Sequence, residues 1–445
     1  MPSVSPSAAK RIDSTYKKTV LENGLRVVSE ELNHVRSVSI GIWVDTGSRD
    51  EGVKTNGISH FIEHMVFKGT TNRSVKDIAR SIESVGGYLN AFTGKEHTCY
   101  YARVLDEHTE LAVDVLSDLV LNATLPAKDL EKEKGVVIEE LKNSEDDPDD
   151  IIHDYFDTAL FGSHPLGYPV IGTEPNLRSF CRDDLLKYMR KHYAPNRMVL
   201  AAAGNVSHDK LVALAERHFG STRKRPHAAG VERKKPLQYH PEKKDFKKPI
   251  QQAHICIGNQ AGSIKSKHRY PTLVLNTLLG DGMSSRLFQN IREKYGFAYS
   301  VYSYATLMSD AGVFSAYIGT DKQHIETSTD LILKEFEKLR SKAVGKAELN
   351  RTKAQLKGSM MLSLESIPNR MMRLGTSELY FHDVTPIDGI IRQIDGVQQD
   401  DILAIANELL REDRLSKVVI HPDAKTHTPT NSESEIAPAN TGRVA

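Results

Sequence analysis

The sequence has few cysteines, no long hydrophobic run and almost no excess of charge. Its three cysteines, Cys99, Cys181 and Cys256, are far apart and odd in number, so they form neither a disulfide framework nor a CxxC metal site. No apolar run approaches the roughly 18 residues that a membrane helix needs, so no membrane partner is expected. Lys and Arg total 59 against 58 Asp and Glu, and the net charge of +1 argues against nucleic acid as a partner.

The segment Met1–Lys18 lacks the apolar core of a secretory signal peptide. Its basic residues are weak support for a transit peptide, because the segment is short and Asp13 interrupts it. We therefore expect a reducing compartment, the bacterial cytoplasm, with the mitochondrial matrix as the less favoured alternative.

The chain of 445 residues is about three times the usual domain length, so at least two domains are expected. Composition changes at Thr222–Pro249, which is rich in Lys, Arg and Pro. We interpret this stretch as a solvated linker rather than a binding patch. The predicted boundaries are 14–222 for a first domain, 223–248 for the linker, 249–421 for a second domain and 422–445 for a disordered tail.

The two halves show the same order of patterns. Each begins with an alternating strand that ends in a turn, Val38–Gly47 and Gln252–Gly262. Two helices, a glycine-containing strand pair and two longer helices follow in both. The predicted helices are 57–68, 75–85, 107–122 and 127–143 in the first half, and 271–279, 284–293, 323–340 and 345–365 in the second. This order predicts an α+β fold made of two homologous α/β sandwich domains.

The most specific motif is His60-Phe-Ile-Glu63-His64. On a helix, His60 and His64 lie one turn apart on one face, where two imidazoles can bind one zinc ion. Glu63 lies at about −60° and His64 at about +40° from His60, at roughly 100° per residue. Glu63 therefore shares their arc and can reach a water at the metal without being a ligand. This is the inverted H-x-x-E-H arrangement.

A catalytic zinc site needs a third protein ligand from another element. Glu133 and Glu140 are seven residues apart, so they share one face of a helix, and Val136, Val137, Ile138 and Leu141 predict that this helix is largely buried. A carboxylate on such a helix needs a partner, and zinc would serve. The alternative of a solvated glutamate stays open for each of them. The acidic run 145–150 that follows is interpreted as a solvated helix end.

These motifs resemble those of the pitrilysin/insulinase family of inverted-motif zinc metallopeptidases, and among them the bacterial members similar to mitochondrial processing peptidase. The resemblance covers about 14–420 and rests on six segments: 21–27, 60–64, 90–93, 133–140, 193–196 and 292–299. It implies that Glu140 is the third zinc ligand and that Glu133 is a carboxylate supporting the site. It also implies a substrate chamber between the two halves.

The resemblance assigns substrate contacts as well. Composition alone favours an internal strand for Asn90, Ala91 and Phe92, whereas the resemblance implies an exposed edge strand that pairs with an extended peptide. Without the resemblance, Arg292 would be interpreted as an Arg at a helix end and Tyr299 as a half-buried Tyr. The resemblance implies that both face the zinc and stabilise the oxyanion of the intermediate.

The second half lacks every metal-binding group. Ungapped alignment of the two halves places Leu275, Leu278 and Leu279 opposite His60, Glu63 and His64. Alignment of the later helices places Thr352 opposite Glu133 and Ser359 opposite Glu140. One active domain, one inert domain and one Zn²⁺ per chain are therefore predicted.

The expected function is that of a zinc endopeptidase that cleaves peptides or unfolded, extended protein segments, with Glu63 as general base. The alternative is a non-catalytic or partner-dependent subunit of a complex like a processing peptidase. Peptides or unfolded polypeptides are the expected substrates, and a homodimer or a heterodimer with a related chain is the expected assembly.

Overall fold

The computed structural model describes residues 15–222, 233–236 and 239–423. The predicted tail beyond residue 423, and the linker residues 223–232 and 237–238, lie outside the described residues. Within the described ranges no helix has both the length and the hydropathy required to cross a membrane.

The first half contains a six-stranded sheet with the strand order β1-β2-β6-β3-β5-β4. Its strands are β1 (Thr15–Val20), β2 (Arg26–Glu31), β3 (Ser37–Val44), β4 (Tyr88–Thr93), β5 (Thr98–Leu105) and β6 (Met198–Gly204). Its helices are α1 (Ile58–Val66), α2 (Val75–Glu83), α3 (Thr109–Asn122), α4 (Ala127–Asp146), α5 (Pro148–Phe161), α6 (Glu174–Ser179), α7 (Arg182–His192) and α8 (His208–Phe219).

The second half contains a five-stranded sheet with the order β7-β11-β8-β10-β9. Its strands are β7 (Lys243–Lys248), β8 (Ala253–Ala261), β9 (Ala298–Leu307), β10 (Gly312–Thr320) and β11 (Ser416–Pro422). Its helices are α9 (Arg269–Gly280), α10 (Ile325–Ser341), α11 (Lys346–Ser363), α12 (Ile367–Phe381), α13 (Ile387–Gly396) and α14 (Gln399–Leu409), with a π-helical turn at Phe288–Glu293.

Apart from β1, which adds a sixth strand to the first sheet, the two sheets share one topology, so the predicted α+β fold with two homologous sandwiches is confirmed. In each sheet the last strand pairs parallel with one neighbour and antiparallel with the other: β6 with β2 and β3, and β11 with β7 and β8. In each half a hairpin completes the sheet, and its first strand, β4 or β9, lies at the edge.

Two equivalent helices are exchanged between the halves. Helix α5 of the first half packs on the second sheet, where Phe156 joins a buried cluster with Val313 and Val418. Helix α12 of the second half packs on the first sheet, where Met371 joins a cluster with Trp43. The linear boundaries predicted from the sequence therefore do not separate the two packing units, since each sheet is covered by a helix from the other half.

The turns of the two equivalent hairpins meet at a buried ion cluster. Glu96 lies in the β4–β5 turn and Asp310 in the β9–β10 turn. Arg49 lies 2.5 Å from Glu96 and 2.6 Å from Asp310, and its side chain is buried. Arg233, from the predicted linker, donates to the Glu96 main-chain oxygen at 2.7 Å. This cluster joins both halves and the linker.

The interpretation of 223–248 as a solvated linker does not fit two of its described parts, Arg233 and the segment 243–248. Besides Arg233 in the ion cluster, Lys243–Lys248 forms the edge strand β7. Alternation explains the difference. Lys243, Asp245 and Lys247 are exposed on one face of the strand, whereas Phe246 on the other face stacks on Tyr155 with ring centroids 4.1 Å apart. Charge counting over the whole stretch does not show such a pattern.

Candidate metal centre

Helix α1 is held at its first turn by a buried carboxylate. Gly57 precedes the helix with φ of +97°, a conformation that favours glycine. Glu51 accepts hydrogen bonds from the main-chain N–H groups of Gly57 and Ser59, both at 2.8 Å, and from Asn56 Nδ2 at 3.0 Å. Burial raises the pKa of Glu51 to about 7, although these hydrogen bonds lower it. Sequence reasoning missed Glu51, because only the fold brings it to the helix.

The three predicted ligands converge between helices α1 and α4. His60 Nε2 lies 3.6 Å from Glu140 Oε1, and His64 Nε2 lies 3.4 Å from Glu140 Oε2. One ligand atom from each side chain lies within 4.8 Å of the other two. Ligand atoms about 2.0–2.1 Å from a tetrahedral zinc ion are separated by about 3.3–3.4 Å, so the two imidazoles and the carboxylate suit one zinc ion.

Glu133 orients one of these ligands. Its Oε1 lies 3.0 Å from His64 Nδ1, and its Oε2 lies 2.7 Å from Lys68 Nζ. The contact with Nδ1 leaves Nε2 of the ring free to face Glu140, as a metal-binding histidine requires. Burial lowers the pKa of His64, but the hydrogen bonds that its ring donates to the carboxylates of Glu133 and Glu140 outweigh burial and raise this pKa to about 9. The site therefore favours positive charge.

Glu63 lies in the same pocket but outside the ligand cluster. Its Oε2 accepts a hydrogen bond from Thr93 Oγ1 at 2.6 Å. Thr93 is the last residue of β4, so the candidate substrate strand also positions the candidate base. The segment 90–93 identified in the sequence includes Thr93, but the sequence did not predict its hydrogen bond to Glu63.

Strand β4 lies at the edge of its sheet, which corrects the composition-based preference for an internal strand. Asn90 is exposed, and Ala91 and Phe92 line the pocket that contains His60. The Ala91 main-chain N–H donates to Asn90 Oδ1 at 2.8 Å. An edge strand of this kind can pair with an extended peptide.

The pocket at the metal centre has a volume of about 660 Å³ and one acidic wall. Asp147, Asp150 and Asp154 form this wall at the end of α4 and along α5. The pKa of Asp154 is raised to about 6, mainly by burial; Lys95 opposes the shift, and the neighbouring carboxylates Asp157 and Asp150 add to it. The run 145–150 is thus not simply a solvated helix end, because two of its residues line the pocket.

Arg292 and Tyr299 line a different pocket, whose described lining belongs entirely to the second half. The side chain of Tyr299 is 75% exposed, and the Arg292 guanidinium lies 5.0 Å from the Phe288 ring centroid. Among the described residues that line the metal pocket, none comes from the second half. The structure thus places Arg292 and Tyr299 together but does not place them at the metal centre.

The equivalent position in the second half is apolar. Leu275, Leu278 and Leu279 of α9 are buried, and Thr352 Oγ1 of α11 donates to its own helix, at the Glu348 main-chain oxygen. In the part of the chain that the structure describes, His60, His64 and Glu140 form the single group of three metal-binding side chains at this spacing.

Comparison with known proteins agrees with this architecture. A family model described as "Insulinase (Peptidase family M16)" matches residues 26–174, and one described as "Peptidase M16 inactive domain" matches residues 179–356. The chain is 45% identical over 397 residues to the "Uncharacterized zinc protease YmxG" of Bacillus subtilis, covering 89% of this chain and 96% of that protein. It is 42% identical to the "Uncharacterized zinc protease ML0855" of Mycobacterium leprae, covering 92% and 93% of the two chains.

Two solved structures share the fold. A protease from Helicobacter pylori has a TM-score of 0.86 at 22% identity and covers 92% of this chain and 100% of that one. A peptidase M16 inactive domain from Pseudomonas fluorescens has a TM-score of 0.85 at 21% identity, with 92% and 98% covered. Both likenesses concern the fold alone. With the relatives above, the family is clear: the chain belongs to the insulinase family of peptidases, family M16.

Proposed function

We propose that the protein is a zinc endopeptidase that cleaves peptides or extended segments of unfolded proteins. The observation that carries the proposal is the convergence of His60, His64 and Glu140 at spacings that suit zinc, with Glu63 beside them. The names of the relatives, which are zinc proteases, support the same metal and activity.

The chemistry follows from the positions of these side chains. His60, His64 and Glu140 would hold a zinc ion, which would supply Lewis-acid chemistry for the scissile carbonyl and the attacking water. Glu63 accepts the proton of the attacking water and returns it to the leaving amine. The hydrogen bond from Thr93 keeps the Glu63 carboxylate directed into the pocket.

The substrate would bind as an added strand on β4. Its main chain pairs with the free edge near Asn90, Ala91 and Phe92, so recognition of the backbone does not depend on sequence. The acidic wall favours a Lys or Arg side chain near the scissile bond, because it supplies a counter-charge to the exposed Asp150 and to the partly buried Asp154.

The test is hydrolysis of a peptide library by the purified, zinc-loaded chain. We expect cleavage that a chelator abolishes and that added zinc restores, with basic residues enriched near the cleavage sites. Absence of cleavage by a zinc-loaded, folded chain would contradict the proposal.

The partner-dependent alternative is favoured by one observation, the separation of Arg292 and Tyr299 from the metal pocket. Size-exclusion chromatography with assays across the eluted peak distinguishes the two cases. Activity in the fractions of the chain alone supports a self-sufficient enzyme, as a monomer or as the predicted homodimer. Activity that appears only with a related chain supports the heterodimer. The bacterial cytoplasm remains the predicted compartment.

A further inference from the structure

Three consecutive residues, Arg49, Asp50 and Glu51, each bind a different part of the molecule through a buried side chain. Arg49 binds the turns of both hairpins in the ion cluster. Asp50 binds the linker residue Arg233. Glu51 binds the main chain at the first turn of α1, the turn that carries the ligand His60. This short segment therefore connects the joint between the halves, the linker and the candidate metal centre.

Arg233 holds the carboxylate of Asp50 in a fixed direction. Its Nη2 donates to Asp50 Oδ2 at 2.8 Å and its Nε donates to Asp50 Oδ1 at 3.1 Å. Two parallel hydrogen bonds of this kind fix the orientation of a carboxylate as well as neutralising its charge. The same Nη2 lies 2.9 Å from Asp45 Oδ1 and donates to the Glu96 main-chain oxygen at 2.7 Å. The guanidinium thus joins the loop before α1 to the β4–β5 turn.

The main chain of the loop is fixed up to Arg49. The N–H groups of Ser48 and Arg49 donate to main-chain oxygens of the β4–β5 turn, at 3.2 and 2.8 Å. In the part of the chain that the structure describes, Asp50 and Glu51 bind distant elements through their side chains instead. The position of Glu51 therefore depends on its neighbour Asp50 and on Arg233, which holds that neighbour.

Loss of Arg233 would leave a buried carboxylate without its main counter-charge. Among its described contacts Asp50 would keep a hydrogen bond from Gly47 N at 3.1 Å, and its charge would repel the carboxylate of Glu51. A buried unpaired charge is costly, so the loop would shift toward water. The shift reaches α1, because Glu51 accepts two main-chain hydrogen bonds there and His60 is the third residue of the helix. Metal sites require ligand distances within about 0.2 Å of their usual values, so a small shift weakens zinc binding.

We propose that Arg233 is a positioning residue of the metal centre, which acts through Asp50 and Glu51 on the helix turn that carries His60. This inference rests on the proposed function, because it requires zinc at the metal centre. It gives the linker a role in zinc binding in addition to joining the two halves. Coupling between two sites is reciprocal, so bound zinc also strengthens the docking of Arg233 on the loop.

The zinc affinity of the folded full chain tests the proposal through Arg233→Gln. The matched control is Lys235→Gln, an exposed position two residues further along the linker. In competition with a chromophoric chelator, we expect Arg233→Gln to bind zinc about 10-fold more weakly than wild type and Lys235→Gln to bind it as wild type does. The visible spectrum of bound Co²⁺, which depends on ligand geometry, should change in Arg233→Gln alone. Unchanged zinc affinity and an unchanged cobalt spectrum in a folded but less stable Arg233→Gln would overturn the proposal and leave Arg233 as a joint between the halves.

Asp50→Asn tests the route from Arg233 to the helix. It removes the charge that Arg233 pairs with, so it should lower zinc affinity by a similar factor, and the double variant should lose no more than either single variant. Additive losses would overturn the route through Asp50. Arg233→Lys keeps the charge without the two parallel hydrogen bonds and serves if Arg233→Gln does not fold. It should still bind zinc more weakly than Lys235→Gln, and equal affinity of these two chains would overturn the proposal.

The same measurement separates this proposal from the proposed activity. Zinc affinity does not require peptide cleavage, so a loss of affinity in Arg233→Gln supports the coupling even if wild type cleaves no peptide. Absence of zinc binding in wild type would overturn the metal centre and the coupling together. Equal zinc affinity of wild type and Arg233→Gln would overturn the coupling alone and leave the proposed function intact.

Discussion

His64 Nδ1 lies 3.0 Å from Glu133 Oε1, and this contact turns Nε2 of the same ring toward Glu140. Glu133 and Glu140 occupy one face of α4, so a single helix supplies both a ligand and the group that orients another ligand. The structure thereby gives different positions to two glutamates that the sequence could not distinguish.

Replacing Glu133 should weaken zinc binding without removing a ligand. Glu133→Gln keeps the shape of the side chain but loses the charge that orients His64, so we expect zinc affinity to fall about 10- to 100-fold. Competition with a chromophoric chelator measures this change. The control is Glu131→Gln on the same helix, where the side chain is exposed and contacts Lys134. Equal zinc affinity in the two variants would contradict the orienting role.

Zinc binding should release a proton near neutral pH. Without metal, the pKa of His64 is raised to about 9, so its ring is charged at pH 7 and must lose a proton to bind zinc through Nε2. We expect apparent zinc affinity to rise by roughly tenfold per pH unit between pH 7 and 9 and to level off above that range. Titration calorimetry in buffers of different ionisation enthalpy should show about one proton released at pH 7. Zinc binding with no proton release would contradict the assignment of His64 as a ligand.

The exchange of α12 makes one glycine essential for packing. A Cβ built at Gly375 would lie 2.1 Å from Trp43 Nε1, so Gly375→Ala should destabilise the chain by about 1–3 kcal/mol and perturb the fluorescence of its one tryptophan. Gly358 is also inside a helix but has no atom within 4 Å of such a Cβ. Gly358→Ala is therefore the control, and it should be neutral or slightly stabilising. Urea unfolding measures both, and equal stability would argue against close packing of α12 on the first sheet.

A role of Arg292 and Tyr299 in stabilising the intermediate remains a prediction from the family resemblance, because in the structure they line a different pocket from the metal centre. If they contact the substrate during the reaction, Tyr299→Phe should lower kcat by about 10²–10³ with little change in KM. Arg292→Ala should lower kcat as well and raise KM, because the guanidinium can also hold the ground-state carbonyl. Zinc content should stay the same in both. Near-normal kcat in both variants would contradict this role.

Local patterns predicted much of this structure, and tertiary contacts account for what they missed. His60, Glu63 and His64 could be placed on one arc because helical spacing depends on sequence distance alone. Glu140 required the family resemblance, since nothing local distinguishes it from Glu133. Glu51 could not be found at all, because it reaches α1 through the folded loop before the helix.

The exchange of helices and the positions of the pockets could not be predicted from the sequence, because they also depend on tertiary contacts. Helix α5 has an ordinary amphipathic pattern, and nothing in that pattern tells which sheet its apolar face covers. The separation of Arg292 and Tyr299 from the metal pocket likewise depends on how the two halves pack. Sequence motifs gave the chemistry of these residues but not their distance from the metal centre.

The most direct test of the proposed activity is a paired measurement of zinc content and peptide hydrolysis in Glu63→Gln. Glu63 is not among the converging ligands, so we expect one zinc per chain, as in wild type, together with a loss of hydrolysis of at least about 10²–10⁴-fold. Glu139→Gln, an exposed residue next to Glu140 that contacts Lys142, is the control and should keep both zinc and activity. Substantial hydrolysis by zinc-loaded Glu63→Gln would contradict the assignment of Glu63 as the general base.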